Sequence, residues 1–259
     1  MPINNAKTDG YHAPAVEKAF RLLRFVANSD GAVRLSDLAG QLGFSKGTTH
    51  GIIRALVATG ALNQNPLDKK ITLGPVTVEL ALKNQIYFQL GSRTQPSLDE
   101  LRDHINETVF FGLLRPWRAL IMATSEAHKP IKISSPPGSS IVLMAGALAK
   151  VYLSQMEDAQ VSRIVKKHGL PQFTKASIVH EPTFMREIAG VRQSGYAIDK
   201  GEYLSGVNAV AVGLGNHYGL QLALWVVGFA ESLNREKIDK AKEPILATAV
   251  KMRKTLNTI

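Results

Sequence analysis

Lys46, Gly47, His50 and Arg54 are spaced so that, at about 100° per residue, they share one side of a helix, while Thr49, Ile52, Ile53 and Leu56 fall on the other. An ammonium, an imidazole and a guanidinium on one helical face can reach phosphates and base edges. Hydroxyls at Ser45, Thr48 and Thr49 complete the candidate DNA-binding set at the start of this helix, and Lys69 and Lys70 extend it downstream.

The flanking residues say how such a helix is held. Ser45 stands where an N-cap belongs, and Gly60 stands where the chain leaves the helix. Upstream, Leu38, Ala39 and Leu42 form the apolar stripe of a shorter helix, and Gly43 allows the tight turn that packs one helix across the other. This is a helix-turn-helix pattern. A hairpin is expected over Leu62–Asn65 and Lys69–Leu73, joined by Pro66, Leu67 and Asp68, with the two lysines near its tip. A basic hairpin in that place makes a winged helix-turn-helix, which sets the second helix into a major groove and the wing against phosphates.

The chain has 259 residues, 45% of them hydrophobic, and a net charge of +10. That length allows two domains. Residues 1–90 carry 10 Lys and Arg against 6 Asp and Glu, a net of +4, so more than half of the excess lies beyond the wing. There are no cysteines, which excludes disulfides, thiolate nucleophiles and thiolate metal sites. The start, MPINNAKTDG, lacks the apolar core of a signal peptide, and no apolar run reaches the ~18–20 residues of a membrane span. A cytoplasmic location without a membrane partner is expected. GxSxG, HExxH and Walker spacings are absent, and GLGNHYG from Gly213 to Gly219 fails the dinucleotide spacing and reads as a hairpin turn. Asp199, Glu202 and Asn208 are polar but show no clear partner, so an enzyme is disfavoured and no cofactor is expected.

Along the chain, a polar tail to about His12 precedes a helix opened by Pro14, with Val16, Ala19, Phe20, Leu23 and Val26 at helical spacing. A helix apolar on more than one side follows the wing from Pro75 to about Leu90, and reads as a linker and dimer contact with Phe20, Leu23, Ile86, Tyr87 and Leu90 at the seam. Residues 1–74, 75–92 and 93–259 are the expected DNA-binding domain, linker helix and C-terminal domain. The last contains helices at Pro96–Ile105, Leu143–Ser154, Asp158–His168, Glu181–Gln193 and Arg235–Leu256. Its strands are expected at Thr108–Leu114, Trp117–Thr124, Ile131–Ser135, Tyr196–Lys200, Val207–Val212 and Leu220–Val227. The fold class is α+β.

Four stretches in register, APAVEKAFRLLRFVA, LGFSKGTTHGIIRALVATGAL, the wing ending ITLG, and RQSGYAIDKGEYLSG, resemble the IclR family of bacterial transcriptional regulators over nearly the whole chain. The resemblance implies a winged helix-turn-helix, a linker helix, and a C-terminal effector-binding domain with a GAF-like or profilin-like antiparallel sheet and helices. It also implies a homodimer or dimer of dimers on double-stranded promoter DNA, responding to a small molecule. Gly51 stands where the family usually has Arg, and Arg54 is placed to take over one turn later.

The implied pocket positions are Met122, Met144, Ala147, Leu148, Asp199, Asn208, Ala209, Trp225 and Val227. A family Cys is matched by Ala209 and two Ser by Trp225 and Val227, so only Asp199 keeps the polar character of a ligand contact. An apolar lining cannot pair a buried carboxylate, an omission costing several kcal/mol. An apolar or aromatic effector with one polar handle therefore fits better than a small carboxylate. The alternatives are a ligand-independent DNA-binding regulator whose C-terminal core is filled and, with less support, a metabolite-modifying enzyme bearing a helical domain.

Overall fold

The computed structural model describes residues 13–29, 31–83, 85–144 and 146–258; the tail expected to His12 lies outside the described residues. The chain divides into two compact units, one ending at Gln85 and the other beginning at Ile86.

In the first unit, Pro14 opens α1 (Pro14–Ala27), its missing N–H being one that a first turn leaves unbonded anyway. Then come α2 (Leu35–Leu42), α3 (Lys46–Ala58), β1 (Leu62–Gln64), β2 (Ile71–Leu73) and α4 (Pro75–Lys83). Gly43 ends α2 at φ 67°, left-handed backbone that an L side chain resists. Arg21 holds the same turn, donating to the Leu42 carbonyl at 3.1 Å and stacking 4.7 Å from the Phe44 ring centroid. Leu22, Val26, Val33, Leu38, Ile53, Leu62 and Ile71 form the core. Val33 and Ile71 exchange backbone hydrogen bonds of 2.9 and 2.8 Å, so the hairpin is fastened to the segment before α2.

The second unit is a six-stranded antiparallel sheet covered on both faces. Its strands are β3 (Thr108–Arg115), β4 (Arg118–Ser125), β5 (Ser140–Val142), β6 (Ala197–Lys200), β7 (Val207–His217) and β8 (Leu220–Phe229), in the spatial order β5-β4-β3-β8-β7-β6. Alternation along the central strands sends Val109, Phe111, Leu222, Leu224 and Val226 to one face, under α5 (Gln85–Ile105) and α9 (Arg235–Leu256). It sends Phe110, Leu114, Ala223 and Trp225 to the other, under α6 (Gly146–Ser154) and α8 (Glu181–Ser194), with α7 (Asp158–His168) packed outside them. Strands buried on both sides read as continuous apolar runs, which is why β3 and β8 are Leu-, Val- and Phe-rich throughout.

Four expectations change. The helix expected at Pro96 begins at Gln85 and runs through that proline. The carbonyl that Pro96 leaves without its usual partner belongs to exposed Ser92, where solvent can satisfy it. Residues 131–135 form no strand; the edge strand is β5, which pairs Ser140 with Leu120 and Val142 with Arg118. Gly213 and Gly215 lie within β7, at a register shift, and the turn is Tyr218–Gly219. Leu90 is fully buried in its own unit and so is not available to a dimer seam, while Ile86 and Tyr87 pack part of their surface on that same core. No helix among the described residues is long and apolar enough to cross a membrane.

Glu107, at the start of β3, is 3% exposed and ties three segments together. Its Oε1 accepts from Lys129 Nζ at 2.5 Å, from Lys237 Nζ at 2.6 Å, and from the Ser232 hydroxyl. Burial opposes its charge, but the three donors outweigh burial and hold the carboxyl below the usual range. A depressed folded-state pKa supplies stability above the unfolded value, lost as pH falls through the folded one. Glu107→Gln should therefore melt lower than the parent at neutral pH, with the gap closing under acid; a constant gap in melting scans across that range would contradict the assignment.

Candidate functional site

The first candidate surface is the exposed side of α3. Ser45 caps the helix, its Oγ accepting from the Thr48 N–H at 3.2 Å and donating to Thr48 Oγ1 at 2.9 Å. Thr49 is fully buried and its hydroxyl donates to the Ser45 carbonyl at 3.0 Å, so its expected place among the DNA contacts is corrected: it faces the core with Ile53. Lys46, Gly47, His50, Gly51 and Arg54 are all exposed and define one continuous face. A Cβ at Gly47 or Gly51 would meet nothing within 4 Å, so this face presents bare backbone between its charged side chains.

The wing is drawn tight by its own side chains. Asn65 Oδ1 accepts from the Leu67 N–H at 2.8 Å, and Asp68 Oδ1 from the Lys70 N–H at 3.0 Å. Lys69 takes φ 57° at the tip and is exposed. Lys70 is half-buried and its ammonium lies 3.3 Å from Asp68, so the two expected phosphate-facing lysines are not equivalent.

The second candidate is the α6 face of the sheet. Trp225 is 2% exposed, lies between its register partners Phe110 and Ala211, and stacks on Phe110 at 5.6 Å between centroids. Its ring edge covers Gly112, where a Cβ would sit 2.8 Å from Trp225 Cη2 and 2.3 Å from the Leu120 carbonyl. Ala147, Leu148, Ala209 and Val227 pack in the same cluster, and Met144 lies beside it against Phe184 and Ile188.

Two expected lining residues lie elsewhere. Met122, at the extra residue where the β3–β4 register shifts, packs on the α5 and α9 face. Asn208 donates to the Leu233 carbonyl at 2.9 Å, and Leu233 belongs to that opposite core. The β4 bulge decides the place of Met122 and is not readable from residue types, whereas Asn208 lies on the face opposite its neighbour Ala209 by plain alternation.

At the end of this face lies an ionic cluster that sequence reading saw only in fragments. Lys150 is 1% exposed and spends all three ammonium donors, on Glu202 Oε1 at 2.7 Å, the Ile198 carbonyl at 2.8 Å and Glu187 Oε2 at 2.9 Å. Asp199, 6% exposed, accepts from the Glu202 N–H at 2.6 Å. Burial pushes the carboxyls of Asp199 and Glu202 up, against the pull of backbone N–H groups on Asp199 and of Lys150 on both. A cavity of about 10 Å³ remains here between Met144, Leu170, Ile178, Phe184 and Glu202, room for one water. Lys150→Met should destabilise the unit by roughly 3–5 kcal/mol at neutral pH by stranding buried carboxylates. Because their folded pKa values are raised, the loss should shrink as acid protonates them; a loss independent of pH in denaturant titrations would contradict this.

The C-terminal residues 87–254 match the family model "Bacterial transcriptional regulator IclR C-terminal", and residues 15–66 match "IclR helix-turn-helix domain". The HTH-type transcriptional regulator XynR of Escherichia coli K12 is 26% identical over 208 residues, covering 78% of this chain and 81% of its own. The solved structure of an IclR-type transcriptional regulator from Alicyclobacillus acidocaldarius aligns at a TM-score of 0.76 with 23% identity, over 95% of this chain and all of that one. An IclR homologue from Microbacterium hydrocarbonoxydans, solved with 4-hydroxybenzoate, aligns at 0.77 with 18% identity over 95% of this chain and all of that one. With a sequence match spanning the sheet and helices of the second unit and another spanning the helix-turn-helix, the chain belongs to the IclR family of bacterial transcriptional regulators, DNA-binding proteins and not enzymes, whose C-terminal domain binds a ligand.

Proposed function

We propose that this regulator reads duplex DNA with Lys46, Gly47, His50 and Arg54 of α3, steadied by the Ser45–Thr48 cap and by Lys69 on the wing, and that its effector is apolar or aromatic with one polar handle. The observation that carries the DNA reading is the exposed face of a capped α3 whose other face is locked into the core. Arg54→Ala should weaken operator binding by about 1–3 kcal/mol more than binding to random duplex, as a base contact does. Equal losses on both would reduce Arg54 to a phosphate contact.

The effector class follows from the walls of the α6 face. Among Ala147, Leu148, Ala209, Trp225 and Val227 the single side-chain hydrogen-bonding group is the Trp225 indole N–H, and Lys150 has no donor to spare for a carboxylate. An aromatic ligand can replace the contacts that Trp225 makes with Phe110 and keep one polar group for the indole N–H, whereas a small carboxylate gains no stacking and meets at most that one donor. The homologue solved with 4-hydroxybenzoate has the same fold, which supports an aromatic ligand for this chain. The reading requires Trp225 or Leu148 to move, because ligand pockets measure ~300 Å³ or more. Leu148→Ala and Trp225→Ser should each change which members of a panel of aromatic acids, apolar metabolites and oxo-acids raise the melting temperature. Folded variants with the parent's profile would favour the filled-core, ligand-independent regulator.

Dimerisation belongs to the same proposal, through the first helix and the linker stretch as expected, with Phe20 kept at the seam and residues of α4 taking the place of Leu90. Phe20 is 58% exposed, and Val16 beside it, Val78, Leu80 and Leu82 on α4, and Phe88 are exposed as well. No residue of α4 is buried in the chain. Apolar side chains left bare in this number support an interface between two copies of the chain. Leu80→Glu with Leu82→Glu should convert a dimer into a monomer in sedimentation at micromolar concentration; a parent already monomeric there would remove the dimer from the account.

A further inference from the structure

The C-terminal unit has a charged polarity along its strands. Gly91 packs against the Met122 carbonyl, Gln95 donates to the Thr124 carbonyl at 3.2 Å, and Ser125 donates to Asp99 at 2.5 Å. α5 therefore runs along β4 with its first residues toward Arg118. At the opposite end, Asp103, Glu107, Glu236 and Asp239 are each paired, with Arg102, Lys129, Lys240 and Lys242. The charges there are compensated.

At the Arg118 end they are not. Arg115 and Arg118 face one another in register across Pro116 and Trp117, a like-charge pair that costs the hairpin stability. The Trp117 ring meets His168 at 4.1 Å, which brings the last turn of α7 and its Lys166 and Lys167 to this end. Tyr218 donates to the Leu256 carbonyl at 3.4 Å, placing the last turn of α9, with Lys254, beside the β7–β8 turn at the same end. Arg115, Arg118, Lys166, Lys167 and Lys254 are exposed, and among the described residues none has a carboxylate or side-chain hydrogen-bond partner. The excess positive charge left outside residues 1–90 has a location here.

We propose that this basic end is a second DNA-contacting surface that binds duplex phosphates without reading bases, so that the C-terminal unit adds to operator affinity directly. The inference rests on the DNA-binding reading above. DNA is favoured over an acidic protein segment because α5 begins at this end. The chain arrives here from the unit that carries α3, so duplex held by that unit is at high local concentration.

The test is the salt dependence of binding by the full chain, measured by fluorescence anisotropy on operator and on random duplex, for the parent, for Arg115→Gln with Arg118→Gln, and for Arg115→Lys with Arg118→Lys. Both arginines lie on an exposed hairpin tip, and removing their mutual repulsion leaves the fold intact, which thermal melting checks. The glutamine pair should reduce the slope of log affinity against log salt by about two units for each protomer on the duplex, roughly 0.9 for each phosphate no longer neutralised, equally on both duplexes, while the lysine pair keeps the parent slope. Unchanged slopes in the glutamine pair, with the parent still selective for its operator, would overturn this proposal alone. A parent without selectivity would instead overturn the DNA reading of α3 on which it rests.

Discussion

Trp225 lies over Gly112 with Phe110 stacked beside it, and the arrangement of the second unit follows from fitting that ring between a sheet and a helix. Room for it comes from a lane of small residues on the same face, Gly112, Ala223 and Gly213, which are register partners across β3, β8 and β7. α6 settles into the same lane, Val151 lying where a Cβ on Gly213 would come within 3.2 Å of it. Close packing of this kind leaves little unfilled volume, and losing it is costly: truncating a buried Trp removes about 3–5 kcal/mol. A face closed this firmly can host a ligand only by exchanging one set of apolar contacts for another.

On the effector reading proposed above, such an exchange would give the ionic cluster beneath it a role. Lys150 joins α6 to α8 through Glu187 and to the β6 end through Glu202 and the Ile198 carbonyl, so a shift of α6 is felt at once by two other elements. A ligand that displaces Trp225 must bind the open and closed arrangements unequally to change anything, since equal affinity shifts no equilibrium. The buried charges make intermediate positions costly, because half-broken ion pairs leave carboxylates unpaired in a poor solvent for charge.

Much of this was legible in the sequence, for identifiable reasons. α1, α7, α8 and α9 declared themselves because each has an apolar stripe and a terminus marked by Pro, Asn or Gly. The helix-turn-helix was legible because Gly43 and Ser45 have local jobs that need no distant partner. What escaped depended on partners far away in the chain. Met122 falls on the other face because a one-residue bulge reverses alternation and nothing in a single strand announces it, whereas Asn208 falls there by plain alternation with Ala209. Thr49 looked like a polar contact, yet its hydroxyl is satisfied by the Ser45 carbonyl one turn back. Glu202 looked partnerless until the fold brought Lys150 to it across 52 residues. Pro96 reads as a start signal, yet Leu98, Leu101 and Ile105 continue the face that Leu90 begins, so the helix expected from Pro96 is the far part of α5.

The central claim is that displacement of the Trp225 face and occupancy of the α3 face are thermodynamically linked. It is met most directly by one closed cycle: ligand affinity by calorimetry with and without operator duplex, and operator affinity by anisotropy with and without saturating ligand, using whichever aromatic compound raises the melting temperature most. Linkage requires the two ratios to be the same factor. The account predicts a common factor of about five or more, the lower end of usual coupling between distant sites. A ligand that binds the C-terminal unit tightly while both ratios stay at one would contradict it.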